Sequence, residues 1–313
     1  MKVCFVGLGT MGLPMCGRLA DAGFEVTGHD IHDGALARAG ERGIRVADSV
    51  SAEDGGLVLT MLPDGNAVRG VVVDAALDGR LAPGTTVVDC SSSDPAATLA
   101  TGQALAAHGV RLADAPVSGN PARADAGRLT LLVGGEDGTV ARARRVLDAL
   151  GTVHRVGPLG AGHALKALNN LLSSVNLAAA AEVMLVGRRF GLDPEVMLAA
   201  LNASTGRSDA TESKVGQFVL TRRFDSGFRL QLMVKDIAIA CSLARATGTP
   251  LHLGEICRLM WERGLHELGP GADNVEMVRW MEREAGATLV SEESPQRGTA
   301  PLGTTGAQSS GGR

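Results

Sequence analysis

The chain has 313 residues, a formal net charge of −4 and 45% hydrophobic residues, which fits one large or two ordinary domains with a sizeable core. The slight acidity disfavours nucleic-acid binding, and no uninterrupted apolar run reaches the roughly 18 residues of a membrane-spanning helix. The N-terminal apolar stretch is too short for a signal peptide, and the five cysteines are odd in number and widely spaced. We therefore expect a reduced, cytoplasmic protein.

Two features of the composition bear on catalysis. Tyrosine is absent, which excludes mechanisms that need a tyrosine acid, such as the Tyr-Lys pair of short-chain dehydrogenases. Only four of the 30 basic residues are lysines, namely Lys2, Lys166, Lys214 and Lys235. Because arginine supplies nearly all the generic positive charge, a retained lysine, with its titratable ammonium, is a candidate functional residue.

The first half of the chain alternates strand and helix patterns. Residues 2–6 form a short apolar strand, and a glycine loop at 7–12 leads into a helix at 13–20. Further strands are predicted at 24–28, 45–46, 56–62, 85–89, 110–114 and 129–133, and helices at 94–108 and 138–150. This alternation predicts an α/β domain over residues 1–162 with a doubly wound parallel sheet.

The second half is predicted to be all helical. A long helix spans residues 163–190, and its apolar middle is interrupted by asparagines and a glutamate, which favours burial between two domains over a membrane span. Helices follow at 193–202, 208–221, 230–247 and 253–267, with no strand after residue 160. We expect an all-α domain over 163–288, followed by a disordered Ser/Gly/Thr/Pro-rich tail at 289–313.

The N-terminal glycine loop has the pattern of a dinucleotide site. Gly7, Gly9 and Gly12 follow a strand and open a helix, and Asp30 ends the next strand 18 residues after Gly12. These glycines would permit the turn, the approach of a pyrophosphate and close helix–strand packing. Asp30 would bind the ribose hydroxyls and repel a 2′-phosphate, so we expect NAD, with NADP possible.

A second segment, residues 114–130, turns from a strand end into a loop of small residues. Ser118 and the backbone amides of Gly119 and Asn120 are suited to holding a carboxylate. An ordinary connecting loop explains the same pattern about equally well.

A third segment carries a lysine on an otherwise apolar helix. Lys166 and Asn170 are spaced i, i+4, and Asn169 and Ser173 form a second such pair on the adjoining stripe. A partly desolvated lysine can act as a general acid/base. A fourth segment places Lys235 beside Asp236 in another apolar helix. The histidines show no metal-ligand spacing, so we expect no metal site.

Together and in this order, the four segments resemble the β-hydroxyacid dehydrogenase family, which includes 3-hydroxyisobutyrate dehydrogenase, over residues 1–288. The resemblance implies a Rossmann domain, a long interdomain helix and a helical domain that mediates dimers or tetramers. It also implies roles for the site residues. Lys166 would be the acid/base, Asn170 would orient the substrate, and Ser118 with Gly119 would bind its carboxylate.

Lys235 would close over the nicotinamide. The other residues that would hold the cofactor are Gly7, Leu8, Gly9, Thr10, Met11, Gly12, Asp30, Met61, Leu62, Pro63 and Ser92. Asn120 and Arg123 depart from the small residues usual in the family's substrate loop, which leaves the substrate open.

The predicted activity is the NAD(P)-dependent interconversion of a small anionic 3-hydroxy acid, similar to 3-hydroxyisobutyrate, and its semialdehyde. Arg123, Asn169 and Ser173 also resemble the sulfonate pocket of sulfolactaldehyde reductases, and succinic or tartronate semialdehyde reductase is a further alternative. Lys166 argues against imine reductases, and the short helical domain argues against 6-phosphogluconate dehydrogenase. A non-catalytic nicotinamide-binding regulator would have no reason to keep Lys166, Asn170 and Lys235 together.

Overall fold

The computed structural model describes residues 1–53 and 55–290. The predicted tail lies outside the described residues from position 291 onward. Leu289 is buried in the helical half, and its backbone N–H donates to the Glu282 carboxylate at 2.9 Å. The packed part of the chain therefore extends to residue 289.

The N-terminal half contains nine strands and six helices among the described residues. The strands are β1 (Lys2–Val6), β2 (Glu25–His29), β3 (Arg45–Val46), β4 (Leu57–Thr60), β5 (Thr86–Asp89), β6 (Arg111–Asp114), β7 (Val117–Ser118), β8 (Leu129–Gly134) and β9 (Gly151–Gly157). The helices are α1 (Gly12–Asp21), α2 (Asp33–Glu41), α3 (Gly65–Leu77), α4 (Pro95–Ala106), α5 (Pro121–Asp125) and α6 (Asp137–Leu150).

These strands form one sheet in the order β3-β2-β1-β4-β5-β6-β8-β7, with β9 on β8. Strands β1 to β6 are parallel. From β1 the chain adds β2 and β3 on one side of it, and then returns to add β4, β5 and β6 on the other side. This strand order is that of a Rossmann fold and confirms the predicted fold class. The sheet is not wholly parallel, however, because β8 runs antiparallel to β6 and β7. The connection from β7 to β8 is too short for a parallel crossover.

Several elements were missing from the sequence-based prediction. Strand β9 lies at an edge and is largely exposed or half-exposed, so it lacks the apolar run that marks the central strands. Strand β7 has only two residues, inside what the sequence indicates as a loop. Helices α2, α3 and α5 were also not predicted.

The C-terminal half is helical, and no strand follows β9 in the described part of the chain. Its elements are α7 (Ala161–Phe190), α8 (Pro194–Asn202), a π-helix (Ala210–Leu220), α9 (Leu230–Ala246), α10 (His252–Leu268) and α11 (Glu276–Ala285). The structure has a π-helix where the sequence predicts an ordinary helix at 208–221, and α11 was not predicted. Such π-helical segments are uncommon and frequently occur at functional sites.

Helix α7 is the core helix of this half. Of the helices in the described residues, it alone is long and apolar enough to cross a membrane, and half of its most apolar window is buried. Leu177, Ala181 and Met184 of α7 lie in one buried apolar cluster with Ile237 of α9 and Trp261 of α10. Burial against neighbouring helices accounts for the apolar residues on one face of this helix.

The register of the parallel strands determines where their loops emerge. Val6 of β1 is level with His29 of β2 and Thr60 of β4, and Thr60 is level with Asp89 of β5. Asp89 is in turn level with Asp114 of β6. The loops that follow these five strands therefore leave the sheet along one edge, where open α/β folds bind their ligands.

Candidate functional site

The loop between β1 and α1 has the shape of a dinucleotide cradle. Gly7 has a positive φ of +94°, and a side chain at Gly12 would collide with the carbonyl oxygen of Gly7. At Gly9, by contrast, an added Cβ would meet no atom within 4 Å, so the backbone there is open to a ligand. These features fit a pyrophosphate at the N-terminus of α1.

Asp30 lies directly after β2, beside this loop. One of its carboxylate oxygens accepts a hydrogen bond from the Leu8 N–H at 2.7 Å, and the other accepts from the His32 N–H at 2.9 Å. The two bonds hold a negative charge at the end of β2, where the adenosine ribose lies in folds of this type. The residues present therefore fit a nicotinamide dinucleotide.

The loops after β4 and β5 are joined to each other and to the helical half. The Leu62 N–H donates to the Ser91 hydroxyl at 2.9 Å. From α9, the Lys235 ammonium donates to the carbonyl oxygens of Pro63, at 3.0 Å, and Ser92, at 2.6 Å. Lys235 thus links the two halves of the chain beside the predicted cofactor loops.

The start of α7 is anchored to the sheet edge. The Asp114 carboxylate accepts from the backbone N–H groups of Gly160 and His163, at 2.7 and 2.8 Å. The buried His163 ring is within hydrogen-bond distance of the Thr98 hydroxyl, at 2.8 Å, and of the Ser91 carbonyl oxygen, at 3.1 Å. These bonds lie three to six residues before Lys166 and fix where that lysine lies relative to the predicted cofactor loops.

Lys166 is buried, with 8% of its surface exposed. Burial lowers the pKa of its ammonium; Asp236 opposes this shift, and the ammoniums of Lys214 and Lys235 add to it. Burial likewise raises the pKa of Asp236, against the influence of Lys235 and Lys166. A buried lysine with a lowered pKa is suited to exchanging a proton.

Asn170 is held in place next to Lys166. Its side-chain amide donates to the Asp236 carboxylate at 2.6 Å, and its backbone carbonyl oxygen accepts from the Ser174 hydroxyl at 2.8 Å. The predicted Lys235-Asp236 pair is therefore more than an ion pair on a helix surface. Asp236 is buried, its second oxygen is 3.7 Å from the Lys235 ammonium, and it fixes the amide of Asn170.

A third lysine, which sequence reasoning did not assign to the site, lies in the same region. The Lys214 ammonium, on the π-helix, donates to the Ser173 hydroxyl at 2.7 Å. Asn169 is exposed, and its amide is 3.4 Å from the side-chain oxygen of Asn170. The scarcity of lysine in the sequence was the signal that could have identified Lys214, because three of the four lysines lie close together here.

The predicted substrate loop is partly a turn and partly a capping structure. Ser118 is half-buried in β7 and pairs with Thr130 of β8, and Gly119 follows it with a φ of +143°. The Asn120 side chain caps α5 by accepting from the Arg123 N–H at 3.0 Å, which gives Asn120 a structural role. Arg123 is exposed, and its guanidinium makes no hydrogen bond or ion pair with the described residues.

Two family models together match almost all of the described chain. Residues 2–160 match the NAD binding domain of 6-phosphogluconate dehydrogenase, and residues 160–281 match the model described as NAD-binding of NADP-dependent 3-hydroxyisobutyrate dehydrogenase. The first model covers the Rossmann half and the second covers the helical half.

Full-length relatives agree with these matches. The chain is 32% identical over 284 residues to 2-(hydroxymethyl)glutarate dehydrogenase of Eubacterium barkeri, covering 89% of this chain and 93% of that protein. It is 35% identical over 266 residues to 3-hydroxyisobutyrate dehydrogenase of Pseudomonas aeruginosa, covering 82% and 89% respectively. The solved structure of Mycobacterium tuberculosis 3-hydroxyisobutyrate dehydrogenase with L-serine superposes with a TM-score of 0.84 at 30% identity, covering 90% of this chain and 98% of that one. The chain belongs to the β-hydroxyacid dehydrogenase family, whose members are NAD(P)-dependent dehydrogenases that act on the hydroxyl group of small hydroxy acids.

Proposed function

We propose that this protein interconverts a small anionic 3-hydroxy acid, similar to 3-hydroxyisobutyrate, and its semialdehyde. The observation that carries the proposal is the buried Lys166, whose pKa is lowered by burial, beside Asn170 at the edge where the cofactor loops emerge. The bound dinucleotide supplies the hydride acceptor or donor. Activity on 3-hydroxyisobutyrate or on 2-(hydroxymethyl)glutarate in relatives supports a hydroxyl group β to a carboxylate.

In oxidation, the neutral Lys166 amine takes the proton from the substrate hydroxyl, and in reduction the ammonium returns it. Asn170 orients the oxygen that carries this proton, because its own amide is held by Asp236. Ser118 and the Gly119 amide bind the substrate carboxylate. Lys235 keeps the Pro63 and Ser92 loops close to α9, which limits the access of water to the site.

For the cofactor, Gly7 to Gly12, with Leu8, Thr10 and Met11 between them, hold the pyrophosphate. Met61, Leu62, Pro63 and Ser92 line the nicotinamide side. NAD is the preferred dinucleotide, because the Asp30 carboxylate is held in place by two backbone bonds and would repel a 2′-phosphate.

The test is a panel of 3-hydroxy acids oxidised with NAD or NADP, together with semialdehydes in the reverse direction, followed at 340 nm. Turnover of a 3-hydroxy acid by the wild type, strongly reduced in Lys166→Ala, supports the proposal. Binding of NAD without turnover of any compound in the panel would instead favour a regulator.

A second candidate, a sulfolactaldehyde reductase, rests on Arg123. The exposed guanidinium lies just after the Ser118 turn and forms no ion pair in the described part of the chain, so it is available to an anionic group. Asn169 and Ser173 on α7 would complete such a pocket. Adding sulfolactaldehyde, succinic semialdehyde and tartronate semialdehyde to the panel separates these alternatives.

We further propose that the protein is a cytoplasmic homodimer or homotetramer assembled through its helical half. Six large apolar side chains are exposed along one stripe of α7. They form two triplets with i, i+3 and i+7 spacing, and the second triplet lies 18 residues after the first: Leu165, Leu168 and Leu172, then Val183, Val186 and Phe190. Phe190 is 84% exposed. Stripes of this size are usually covered by a partner. Light scattering of the wild type and of Phe190→Ser tests this, and a monomeric wild type would refute it.

A further inference from the structure

Lys214 is the one lysine near the site for which the proposed function provides no role. It projects from the π-helix, is partly buried, and donates to the Ser173 hydroxyl at 2.7 Å. It forms no ion pair with a carboxylate in the described residues. Burial lowers its pKa, and Asp209 and Asp273 oppose that shift only from a distance.

Ser173, which accepts the hydrogen bond from Lys214, lies on the same helix as Lys166. Ser173 is seven residues after Lys166, so both lie on the same face of α7 with Asn170 between them. A spacing of seven residues corresponds to about 10 Å along a helix axis. Lys166 and the Lys214–Ser173 pair therefore mark two ends of one polar stripe.

The charges along this stripe do not balance. The Asp236 carboxylate interacts with the ammoniums of Lys235 and Lys166, whereas the Lys214 ammonium only adds a further positive charge near Lys166. Two backbone carbonyls and Asp236 satisfy Lys235, whereas a neutral hydroxyl is the hydrogen-bond partner of Lys214. A partly buried ammonium without a counter-ion is unfavourable, and an anion that enters the site relieves that cost.

We propose that Lys214 and Ser173 form a second anion-binding subsite, which receives a carboxylate at the far end of the substrate. The inference rests on the proposed function and specifies its substrate class, namely 3-hydroxy acids that carry a second carboxylate several bonds from the reacting carbon. The first carboxylate binds at Ser118 and Gly119, the hydroxyl faces Lys166, and the distal carboxylate is bound by the Lys214 ammonium.

Binding of two acids of equal length tests the subsite without requiring turnover. Glutarate and pentanoate each have five carbons and differ by one terminal carboxylate. Calorimetry with saturating NAD should give at least tenfold tighter binding of glutarate to the wild type. Lys214→Gln should reduce this preference to below threefold, and Lys2→Gln should preserve it, because Lys2 is an exposed lysine paired with Glu53 in β1.

Equal binding of both acids to the wild type overturns the proposal, and so does a preference that survives in Lys214→Gln. If Lys214→Gln does not fold, Lys214→Met replaces it, because it also removes the ammonium, and an undiminished glutarate preference in that variant has the same meaning. Glutarate should also compete with 3-hydroxyisobutyrate; non-competitive inhibition would place its site elsewhere and overturn the proposal. A wild type that oxidises no 3-hydroxy acid refutes the proposed function, while the calorimetry still decides the subsite.

Discussion

Replacement of Lys166 by alanine tests the proton transfer most directly. Loss of a general acid/base lowers kcat by about 10²–10⁴-fold, equivalent to roughly 3–5 kcal/mol of transition-state stabilisation. The surroundings indicate the upper part of that range. Lys214 is bonded to Ser173, Lys235 is bonded to two backbone carbonyls, and neither is free to replace the missing amine.

The assay is steady-state oxidation of the best 3-hydroxy acid from the panel, with NAD affinity measured separately by calorimetry. We expect kcat to fall at least about 10³-fold, within the range typical for the loss of a general acid/base. The affinity for NAD should stay nearly unchanged. Lys166→Arg should be equally inactive, because a guanidinium does not release its proton near neutral pH.

Chemical rescue provides the control for structural damage. The alanine variant leaves a cavity where the buried side chain lay, so added methylamine should restore part of the activity to Lys166→Ala and none to Lys166→Arg. Wild-type turnover in either variant would refute the assignment of Lys166 as the acid/base.

Three further predictions concern the surroundings of this lysine and the two ligands. Oxidation requires the neutral amine of Lys166, so the oxidation rate should rise with pH through an apparent pKa below the ordinary lysine value of 10.5. Lys214→Gln removes a neighbouring cation and should therefore shift this rise in rate to higher pH. The wild type should have a kcat/KM for NAD at least tenfold higher than for NADP, a difference of about 1.4 kcal/mol, and Asp30→Ala should reduce this ratio. Equal use of both cofactors by the wild type would show that a residue other than Asp30 recognises the 2′ position of the ribose. If Arg123 binds the anionic group as in the second candidate, Arg123→Ala should raise KM for the charged substrate by about thirtyfold, corresponding to roughly 2 kcal/mol, with little effect on NAD. An unchanged KM would show that Ser118 and Gly119 bind the carboxylate without Arg123.

Much of the cofactor half could be predicted from the sequence because its signals are local. A strand, a glycine turn and a helix follow each other within 20 residues, and Asp30 ends the next strand, so the motif specifies its own geometry. The i, i+4 spacing of Lys166 and Asn170 similarly placed both on one buried helix face. The short strand β7 and the edge strand β9 had no such signal, because edge strands need neither length nor an apolar run.

The contacts that turn these residues into a site join distant parts of the chain, and only the tertiary structure determines them. Lys214 reaches Ser173 across 41 residues of sequence, Asn170 reaches Asp236 across 66, and Lys235 reaches Ser92 across 143. No periodicity encodes such pairings, because they depend on how α7, the π-helix and α9 pack against each other and against the sheet edge. The sequence alone determined which residue types were available for chemistry, and the packing of the helices decided which of them share one buried environment and influence each other's charge.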